Sequence, residues 1–406
     1  LSTYTFSSFW VCLINEKETN LVEKMKFTSI ITGILSMFLV LSVTADELTA
    51  YQDRPEVIEF IEMMNSKHGS DKEELKNLFS SANFQERVIR IMNRQPEGTM
   101  TWSKYKAMLV TDERVDSGKQ FIDAYKQDLM RAEDIYGVPA EIIASIIGIE
   151  TKYGRITGNI RVLDSLTTLS FDYPRRSKFF KIQLEEFLLL TQEEGLDPSK
   201  VKGSIAGAMG FGQFMPDSYR NYAVDFDFDG KRDILNNPVD SIGSVANFLN
   251  KKGKWEPNTE VVVAAELTGE RPDIRTGFSP YITISDLESL GLKPITTKQA
   301  SLNVIPVELQ LQLSEEEIKE KLLSVALSDN RFTLLYELRS LTKIFLPFNK
   351  LAKEAAEKRF NESDREKKYF EYWLGLNNYR ALSRYNRSKL YIMAVYEFSE
   401  SLAEFL

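Results

Sequence analysis

A largely apolar segment from Ala140 to Ile149 is followed directly by a glutamate. Its spacing predicts a helix from about 140 to 153, with Pro139 in a position that suits a first turn. Four residues recur on one face of that helix: Ile143, Ile146, Ile147 and Glu150. Glutamate is rarely buried unless it is paired or functional. The fold must therefore provide a place for a carboxyl group on the apolar side of a helix.

Two interpretations of Glu150 follow from this pattern. Loss of hydration raises the pKa of a carboxyl group because it destabilises the charged form. A carboxylic acid that stays protonated near neutral pH is what a general acid acting on a glycosidic oxygen requires. The alternative is a structural carboxylate paired with Lys152, Arg155 or a distant arginine. The pattern alone leaves both interpretations open.

The scarcity of other catalytic side chains favours carboxylate chemistry. Among 406 residues there is one histidine, His68, and one cysteine, Cys12. A Ser–His or Cys–His pair would have to use His68, which we predict to be a solvated loop residue in a polar, turn-like stretch. Zinc sites built from several histidines and cysteines are excluded.

The overall composition is that of a globular protein of two or three domains, with 43% hydrophobic and 27% charged residues. The formal net charge of -8 at pH 7 repels polyphosphate. We therefore expect no nucleic-acid partner, and we expect a monomer.

The first residues predict export. Met25 and Lys26 precede an apolar run from Ile30 to Val43, and small residues follow up to Ala45. This arrangement is typical of a signal peptide that begins at Met25 and is cleaved after Ala45, with residues 1–24 as an upstream extension. An uncleaved membrane anchor is the alternative, although the run is shorter than the roughly 20 residues that span a bilayer. Cleavage would remove Cys12, which suits an oxidising compartment.

The pattern of the remaining chain changes several times. Residues 46–136 are predicted to be helical, and 137–258 form the candidate catalytic core with a second long helix over 178–194. Residues 259–314 form a small β-rich module, because Val307, Leu309, Leu311 and Leu313 alternate with polar residues. A charged helical insert spans 315–368, and 369–406 is an aromatic-rich C-terminal segment that ends in a helix.

Several blocks of this sequence occur in the order found in a known family. They are Gly137–Ile143 leading to Ile147–Thr151, Leu169–Arg176, Gly203–Pro216, Pro238–Asn247, Trp373–Tyr379 and Arg384–Ser388. Together they resemble the lytic murein transglycosylase B family. Long blocks in the right order are more specific than any short motif. The resemblance covers about 46–300 and resumes near Phe370.

The resemblance implies a mainly α, α+β fold: a lysozyme-like helical core with a flanking helical domain and a small β-rich domain. It implies cleavage of the β-1,4 bond between N-acetylmuramic acid and N-acetylglucosamine in peptidoglycan, which gives 1,6-anhydromuramoyl ends. Glu150 matches the sole catalytic carboxylate, acting first as acid and then as base. The implied partners are peptidoglycan glycan strands, and the implied location is the periplasm. Two alternatives stay open, a peptidoglycan hydrolase (muramidase) and a non-catalytic wall-binding scaffold.

The resemblance also implies a substrate-binding set. It contains Ser204, Gln213, Arg175, Arg176, Tyr105, Tyr385, Asn386 and Phe248, the last at a position where the family often has tyrosine. Core packing is the alternative for the tyrosines, and a surface ion pair is the alternative for one arginine. The last segment, 369–406, is expected to return to the catalytic cleft.

An acidic loop follows the glycine-rich block. Asp225, Asp227 and Asp229 precede Gly230 in the D-x-D-x-D-G pattern of an EF-hand loop. The family resemblance adds the Lys231 carbonyl and Asp240 as further ligands. We predict a structural Ca²⁺ with no part in the chemistry, for which no cofactor is required. A solvated aspartate turn is the alternative. The insert 315–368 could dock cell-wall synthesis or division proteins, and a surface elaboration is the simpler interpretation.

Overall fold

The computed structural model describes residues 50–94, 100–314, 317–318 and 369–406. The predicted leader, Cys12 and almost all of the insert 315–368 lie outside these residues, so the predictions for them stay predictions. Within the described part of the chain, no helix is both long enough and apolar enough to cross a bilayer.

The chain forms two compact units, each assembled from separate stretches of sequence. Of the described residues, unit 1 contains 50–94, 111–259 and 380–406, whereas unit 2 contains 100–110, 260–314, 317–318 and 369–379. The predicted boundary between residues 136 and 137 therefore lies inside unit 1. The last 27 residues, Arg380–Leu406, also belong to unit 1, the unit that contains Glu150.

The α-helices in chain order are α1 (Pro55–His68), α2 (Lys72–Ser80), α3 (Glu86–Met92), α4 (Trp102–Leu109), α5 (Asp112–Tyr136), α6 (Ala140–Thr151), α7 (Val162–Phe171), α8 (Ser177–Glu193), α9 (Pro216–Tyr222), α10 (Pro238–Phe248), α11 (Ile284–Ser289), α12 (Asn377–Tyr385) and α13 (Lys389–Leu402). The strands are β1 (Ile160–Arg161), β2 (Lys202–Gly203), β3 (Val262–Leu267), β4 (Ile282–Thr283), β5 (Leu292–Pro294), β6 (Asn303–Leu311) and β7 (Tyr369–Gly375).

The centre of unit 1 is α6. Every residue of this helix except Glu141 is buried, and a helix that is buried on all sides must be enclosed by others. Helices α5, α10 and α13 pack against it. The predicted helix from about 140 is confirmed, and it begins directly after Pro139. The predicted second long helix is also confirmed as α8.

Partly buried polar contacts hold the N-terminal part of unit 1 against the end of α7. Asp172 follows α7 and accepts hydrogen bonds from the Tyr51 hydroxyl at 2.5 Å and from Arg54 at 2.7 Å. The prediction for His68 was wrong. His68 is the last residue of α1, and its Nε2 lies 2.8 Å from Glu185 Oε1 on α8. The histidine therefore belongs to a contact between helices.

Unit 2 is built on an antiparallel sheet with strand order β4-β6-β7-β3-β5. The long pair β6 and β7 places Val307 opposite Trp373 and Leu309 opposite Glu371. Apolar residues on one face of the sheet pack with α11, and the core includes Val263, Ile284, Leu287, Val304 and Leu374. The alternating pattern correctly predicted β6. Strand β7 was not predicted. A mainly helical fold with a small β-rich module is thus confirmed.

Candidate active site

Glu150 lies in the last turn of α6, and only 3% of its surface is exposed. The helix is held at this end by the next residue. The Thr151 hydroxyl lies 2.9 Å from the carbonyl oxygen of Phe211 and accepts a hydrogen bond from the Gly154 amide at 3.0 Å. The carboxyl group predicted to be catalytic is therefore buried at a helix end that is tied to a neighbouring segment.

The backbone that follows Glu150 and Thr151 is left-handed for three residues. The φ angles are 51° at Lys152, 59° at Tyr153 and 83° at Gly154. A positive φ is uncommon for residues with a side chain, and two such residues in succession need support from their surroundings. Helix α6 therefore ends in a left-handed turn.

The glycine-rich segment 203–214 lies against this turn. A β-carbon at Gly158 would stand 2.2 Å from the Gly203 carbonyl carbon, so the two backbones are in direct contact. The segment folds back on itself, and Met209 pairs with Phe214. Ser204 is buried, and its Oγ accepts a hydrogen bond from the Ala208 amide at 3.1 Å. This bond gives Ser204 a structural role in the turn.

Gln213 is held in an unusual conformation beside the same loop. Its φ is 50°, and its Nε2 donates to the carbonyls of Thr157 and Gly210, each at 2.9 Å. The amide oxygen Oε1 is buried and has no hydrogen-bond partner among the described residues. With both donor hydrogens engaged, this oxygen is left as an acceptor for an outside group.

Tyr385, at the end of α12, links Glu150 to the glycine-rich segment. Its hydroxyl donates to the carbonyl of Gly212 at 2.5 Å. Burial raises the pKa of Tyr385 well above its usual value, and the negative charge of Glu150 raises this pKa further. The electrostatic effect requires the two groups to be near each other. Tyr385 is thus near Glu150 and is hydrogen-bonded to Gly212, the residue before Gln213.

An aromatic cluster surrounds Tyr385. Phe248 is buried, and its ring centroid lies 4.9 Å from that of Tyr385 and 5.5 Å from that of Phe214. Asn386 is 3% exposed, and its Oδ1 has no hydrogen-bond partner among the described residues. Tyr391 stacks on Tyr385 at 6.5 Å with an interplanar angle of 7°. Sequence reasoning missed Tyr391, although it lies only three residues after the last matching block.

The two arginines and Tyr105 have different surroundings. Arg175 is exposed, whereas the Arg176 guanidinium lies 4.3 Å from the ring centroid of Phe179. Burial lowers the pKa of Arg176. The Arg176 guanidinium thus stacks on a ring. Tyr105 is fully buried in α4, in unit 2. The substrate-binding roles of all three residues stay predictions.

The acidic loop gathers three carboxylates. One oxygen from each of Asp225, Asp227 and Asp229 lies within 4.8 Å of the others. Asp240 is placed differently, because its two oxygens accept backbone hydrogen bonds from Phe226 at 2.7 Å and Asp233 at 2.8 Å. Burial raises the pKa of Asp240. The loop can offer three converging carboxylates to a hard cation, while Asp240 holds its backbone.

Comparison with known proteins identifies the family. The model of the transglycosylase SLT domain family matches residues 52–336 and 346–400. The chain belongs to this family. It is 35% identical over 366 residues to membrane-bound lytic murein transglycosylase B of Escherichia coli (strain K12), covering 87% of this chain and 84% of that protein.

Two solved structures show the same fold. Soluble lytic transglycosylase SltB1 from Pseudomonas aeruginosa matches with a TM-score of 0.69 and 35% identity over 86% of this chain and 99% of that one. Escherichia coli lytic transglycosylase Slt35, solved in complex with calcium, matches with a TM-score of 0.67 and 35% identity over 87% of this chain and 94% of that one. The predicted lysozyme-like fold and the family resemblance are confirmed. This transglycosylase is a peptidoglycan-cleaving enzyme.

Proposed function

We propose that this transglycosylase cleaves the β-1,4 bond between N-acetylmuramic acid and N-acetylglucosamine with Glu150 as its single catalytic acid and base. The observation that carries the proposal is the position of Glu150, which is 3% exposed at the end of the central helix and lies near Tyr385. A carboxyl group with little access to water is protonated more readily than an exposed one.

The reaction has two proton transfers, both at the Glu150 carboxyl group. The protonated acid donates to the glycosidic oxygen while the bond between this oxygen and C1 of the muramoyl residue breaks. The carboxylate then accepts the proton of the C6 hydroxyl, whose oxygen bonds to C1. The products are a free hydroxyl on the leaving sugar and a 1,6-anhydromuramoyl end. Glu150 is protonated again, and no water is consumed.

The other buried carboxylates of unit 1 have structural roles. Within the described residues these are Asp164 and Asp240. Asp164 accepts from the Asn83 amide at 2.9 Å and from Arg161 at 2.5 Å, and Asp240 holds the acidic loop. Hydrolysis by the usual route needs a second carboxylate about 5–9.5 Å from the first. Both candidates are already engaged in structural hydrogen bonds.

We assign substrate binding to buried polar atoms that have no hydrogen-bond partner among the described residues. Gln213 Oε1 and Asn386 Oδ1 are buried acceptors, and each can receive a hydrogen bond from a sugar hydroxyl or an N-acetyl N–H. Phe248 and Tyr385 supply the aromatic surface next to them. We place Ser204, Arg175, Arg176 and Tyr105 in the same substrate-binding set on the strength of the family resemblance.

The deciding experiment compares Glu150→Gln with Glu141→Gln. Both residues are glutamates on α6, but Glu141 is partly exposed. Since a general acid contributes about 10²–10⁴-fold, Glu150→Gln should lower turnover of purified sacculi by at least about a hundredfold. Glu141→Gln should stay near wild type. Mass spectrometry should find muropeptides that lack one water relative to reducing ends.

Three outcomes would reject this function. Reducing ends as the main product would indicate a muramidase. Wild-type turnover by Glu150→Gln would assign the chemistry elsewhere. An inactive wild-type protein that still binds glycan would indicate a scaffold.

We further propose that the acidic loop binds a structural Ca²⁺ through Asp225, Asp227 and Asp229, with the Lys231 carbonyl as a fourth ligand. Oxygen ligands at alternate positions before a glycine suit this ion. The clustered carboxylates support the assignment, as does the calcium complex of Slt35. Asp240 is the fifth ligand in this proposal, since a carboxylate oxygen that accepts a backbone hydrogen bond can still coordinate a cation.

We place the enzyme in the periplasm, acting on peptidoglycan glycan strands. Support comes from the predicted signal peptide and from the membrane-bound relative in Escherichia coli. For residues 315–368 a surface elaboration is the simpler interpretation, and docking of cell-wall synthesis or division proteins is the alternative, which pull-down measurements test. We expect a monomer, which sedimentation measurements test.

A further inference from the structure

We propose that Thr151 is a positioning residue for Glu150. Its hydroxyl closes the left-handed turn after α6 and holds the glycine-rich segment, and it thereby fixes the Glu150 carboxyl relative to Gly212 and Gln213. The inference rests on the proposed catalytic role of Glu150. Thr151 does not touch the substrate in this scheme and acts through its neighbour in the chain.

The Thr151 hydroxyl is fully engaged. The residue is 1% exposed. Its oxygen accepts a hydrogen bond from the Gly154 amide at 3.0 Å. Its single hydrogen is donated to the Phe211 carbonyl oxygen at 2.9 Å. The Ile147 carbonyl oxygen, in the preceding helical turn, is a second acceptor within reach at 3.2 Å. One side chain therefore joins the helix end, the turn and the glycine-rich segment.

The turn needs this support because its backbone is strained. Lys152 and Tyr153 both have positive φ angles, 51° and 59°. Such conformations persist only where the surroundings determine them. At Gly154 a β-carbon would stand 2.3 Å from Cε1 of Phe211, so the Phe211 ring lies directly on this glycine. Phe211 thus contacts the turn through its ring and through its carbonyl.

Tyr153 fixes the opposite side of the turn. Its ring stacks on Phe121 of α5 at 4.9 Å. Added β-carbons at Gly118 of α5 and Gly148 of α6 would lie 2.6 Å and 2.5 Å from its hydroxyl oxygen. The ring therefore fills a slot where both helices have a glycine. The turn is therefore held on one side by Tyr153 in this slot and on the other side by Phe211. The Thr151 hydroxyl supplies hydrogen bonds to both the turn and Phe211.

The consequence for catalysis follows from the order of residues along the segment. Phe211 is followed by Gly212, whose carbonyl accepts from Tyr385, and by Gln213, whose Oε1 has no hydrogen-bond partner within the described part of the chain. The Thr151–Phe211 hydrogen bond therefore connects the end of the helix that carries Glu150 to the segment that contains Gly212 and Gln213, the proposed sugar-binding side of the site. A misplacement of about 1 Å between acid and substrate can lower the rate about a hundredfold.

The test compares Thr151→Val with Thr151→Ser. Valine keeps the shape and removes the hydroxyl, whereas serine keeps the hydroxyl and removes the methyl group. Ser145→Ala is the matched control, because Ser145 is a buried residue of α6 whose hydroxyl donates only to the Ile142 carbonyl at 2.9 Å. The kinetic constants kcat and KM are determined on uncrosslinked glycan strands of defined length, with the number of new anhydro ends as the measure of product. Circular dichroism confirms that each variant is folded at the assay temperature.

We expect Thr151→Val to lower kcat by about tenfold or more, with KM within about threefold of wild type, and Thr151→Ser to keep kcat within about threefold. Ser145→Ala should retain wild-type kcat. The inference is overturned by a folded Thr151→Val with wild-type kcat, by a serine variant as slow as the valine variant, or by an equal loss in Ser145→Ala. If Thr151→Val does not fold, Thr151→Cys, whose thiol is a weak donor and acceptor, replaces it under the same criteria.

Failure of this inference and failure of the proposed function are distinguishable. Glu150→Gln in the same assay tests the catalytic assignment alone. An inactive Glu150→Gln beside a fully active Thr151→Val would refute the positioning role and leave the catalytic role intact. An active Glu150→Gln would refute both.

Discussion

At the scale of single residues, the site depends on glycines as much as on the glutamate. Gly212 lets the Tyr385 hydroxyl approach to 2.8 Å from where a β-carbon would stand. Gly158 lets two backbones touch next to Ser204. Each of these glycines is required because a β-carbon would collide with a neighbouring atom. Comparing Gly158 with Gly195, which has open space around it, tests this requirement.

Gly158→Ala, with Gly195→Ala as its control, tests whether this close approach matters for stability. Both glycines have positive φ, 98° and 63°. A β-carbon at Gly158 would stand 2.2 Å from the Gly203 backbone, whereas nothing lies within 4 Å of one at Gly195. Gly195→Ala should lower the melting temperature by about 2–6 °C, the effect of left-handed strain alone. Gly158→Ala should lower it by more than about 10 °C, because backbone atoms must move.

Thermal melts followed by circular dichroism make this comparison directly. Equal shifts for the two variants would show that strain, and not the contact with Gly203, dominates at residue 158.

The sequence pointed to the proposed catalytic residue more clearly than to the residues that support it. Glu150 stands out because it is a charged residue at an apolar helical position, which periodicity detects. Thr151 carries no such signal, since a threonine after a glutamate is ordinary, and its role depends on the Phe211 carbonyl, 60 positions further along the chain. Tyr391 was missed for the same reason. Its stacking on Tyr385 depends on how α12 and α13 are arranged.

Among the structural elements, the acidic loop between α9 and α10 is the clearest case of electrostatic repulsion between neighbouring carboxylates. Three carboxylates lie within 4.8 Å of one another, and like charges at this distance repel. Backbone amides offset part of this repulsion, since Asp225 accepts from Asp229 and Gly230 at 3.0 Å and 2.8 Å. A bound divalent cation would offset more of it.

Calcium should therefore raise the melting temperature. At a calcium concentration a hundred times the dissociation constant, binding to the folded state alone adds about 2.7 kcal/mol, which corresponds to a rise of about 5–11 °C for a unit of this size. Asp227→Asn should remove most of the shift. The exposed Asp197, outside the loop, provides the control Asp197→Asn, which should keep it. Equal melting curves of the wild type in calcium and in chelator would exclude the site.

Helices α6 and α8 and strand β6 were predictable because each is long and has one clear period. Strand β7 was not, because its aromatic residues Tyr369, Phe370, Tyr372 and Trp373 fit a strand or a helix equally well. Its conformation is decided by pairing with β6 and β3 on either side. A strand in the middle of a sheet derives its stability from neighbours that are distant in sequence, and these neighbours are not visible in a local pattern.

At the scale of the whole molecule, the catalytic unit is discontinuous in sequence. Helix α13 lies near the end of the chain and packs against α6, which carries Glu150. The sequence gives the helical period of both segments. It does not show that two helices more than 200 residues apart form one core, and only the family resemblance predicted that the C-terminal segment returns to the site.

This arrangement predicts that the last helix is indispensable for unit 1. The buried residues of α13 include Tyr391, Ile392, Met393, Val395, Phe398 and Leu402. A fully buried side chain of this size contributes about 1.5–3 kcal/mol, and a typical protein has a net stability of about 5–15 kcal/mol. A chain that ends at Ser388 should therefore lose the cooperative melting of unit 1, together with all cleavage of sacculi. A chain that ends at Leu402 keeps α13 and should melt within a few degrees of the full chain, as measured by scanning calorimetry. Retained turnover in the chain that ends at Ser388 would show that α6 holds Glu150 in place without its C-terminal neighbour.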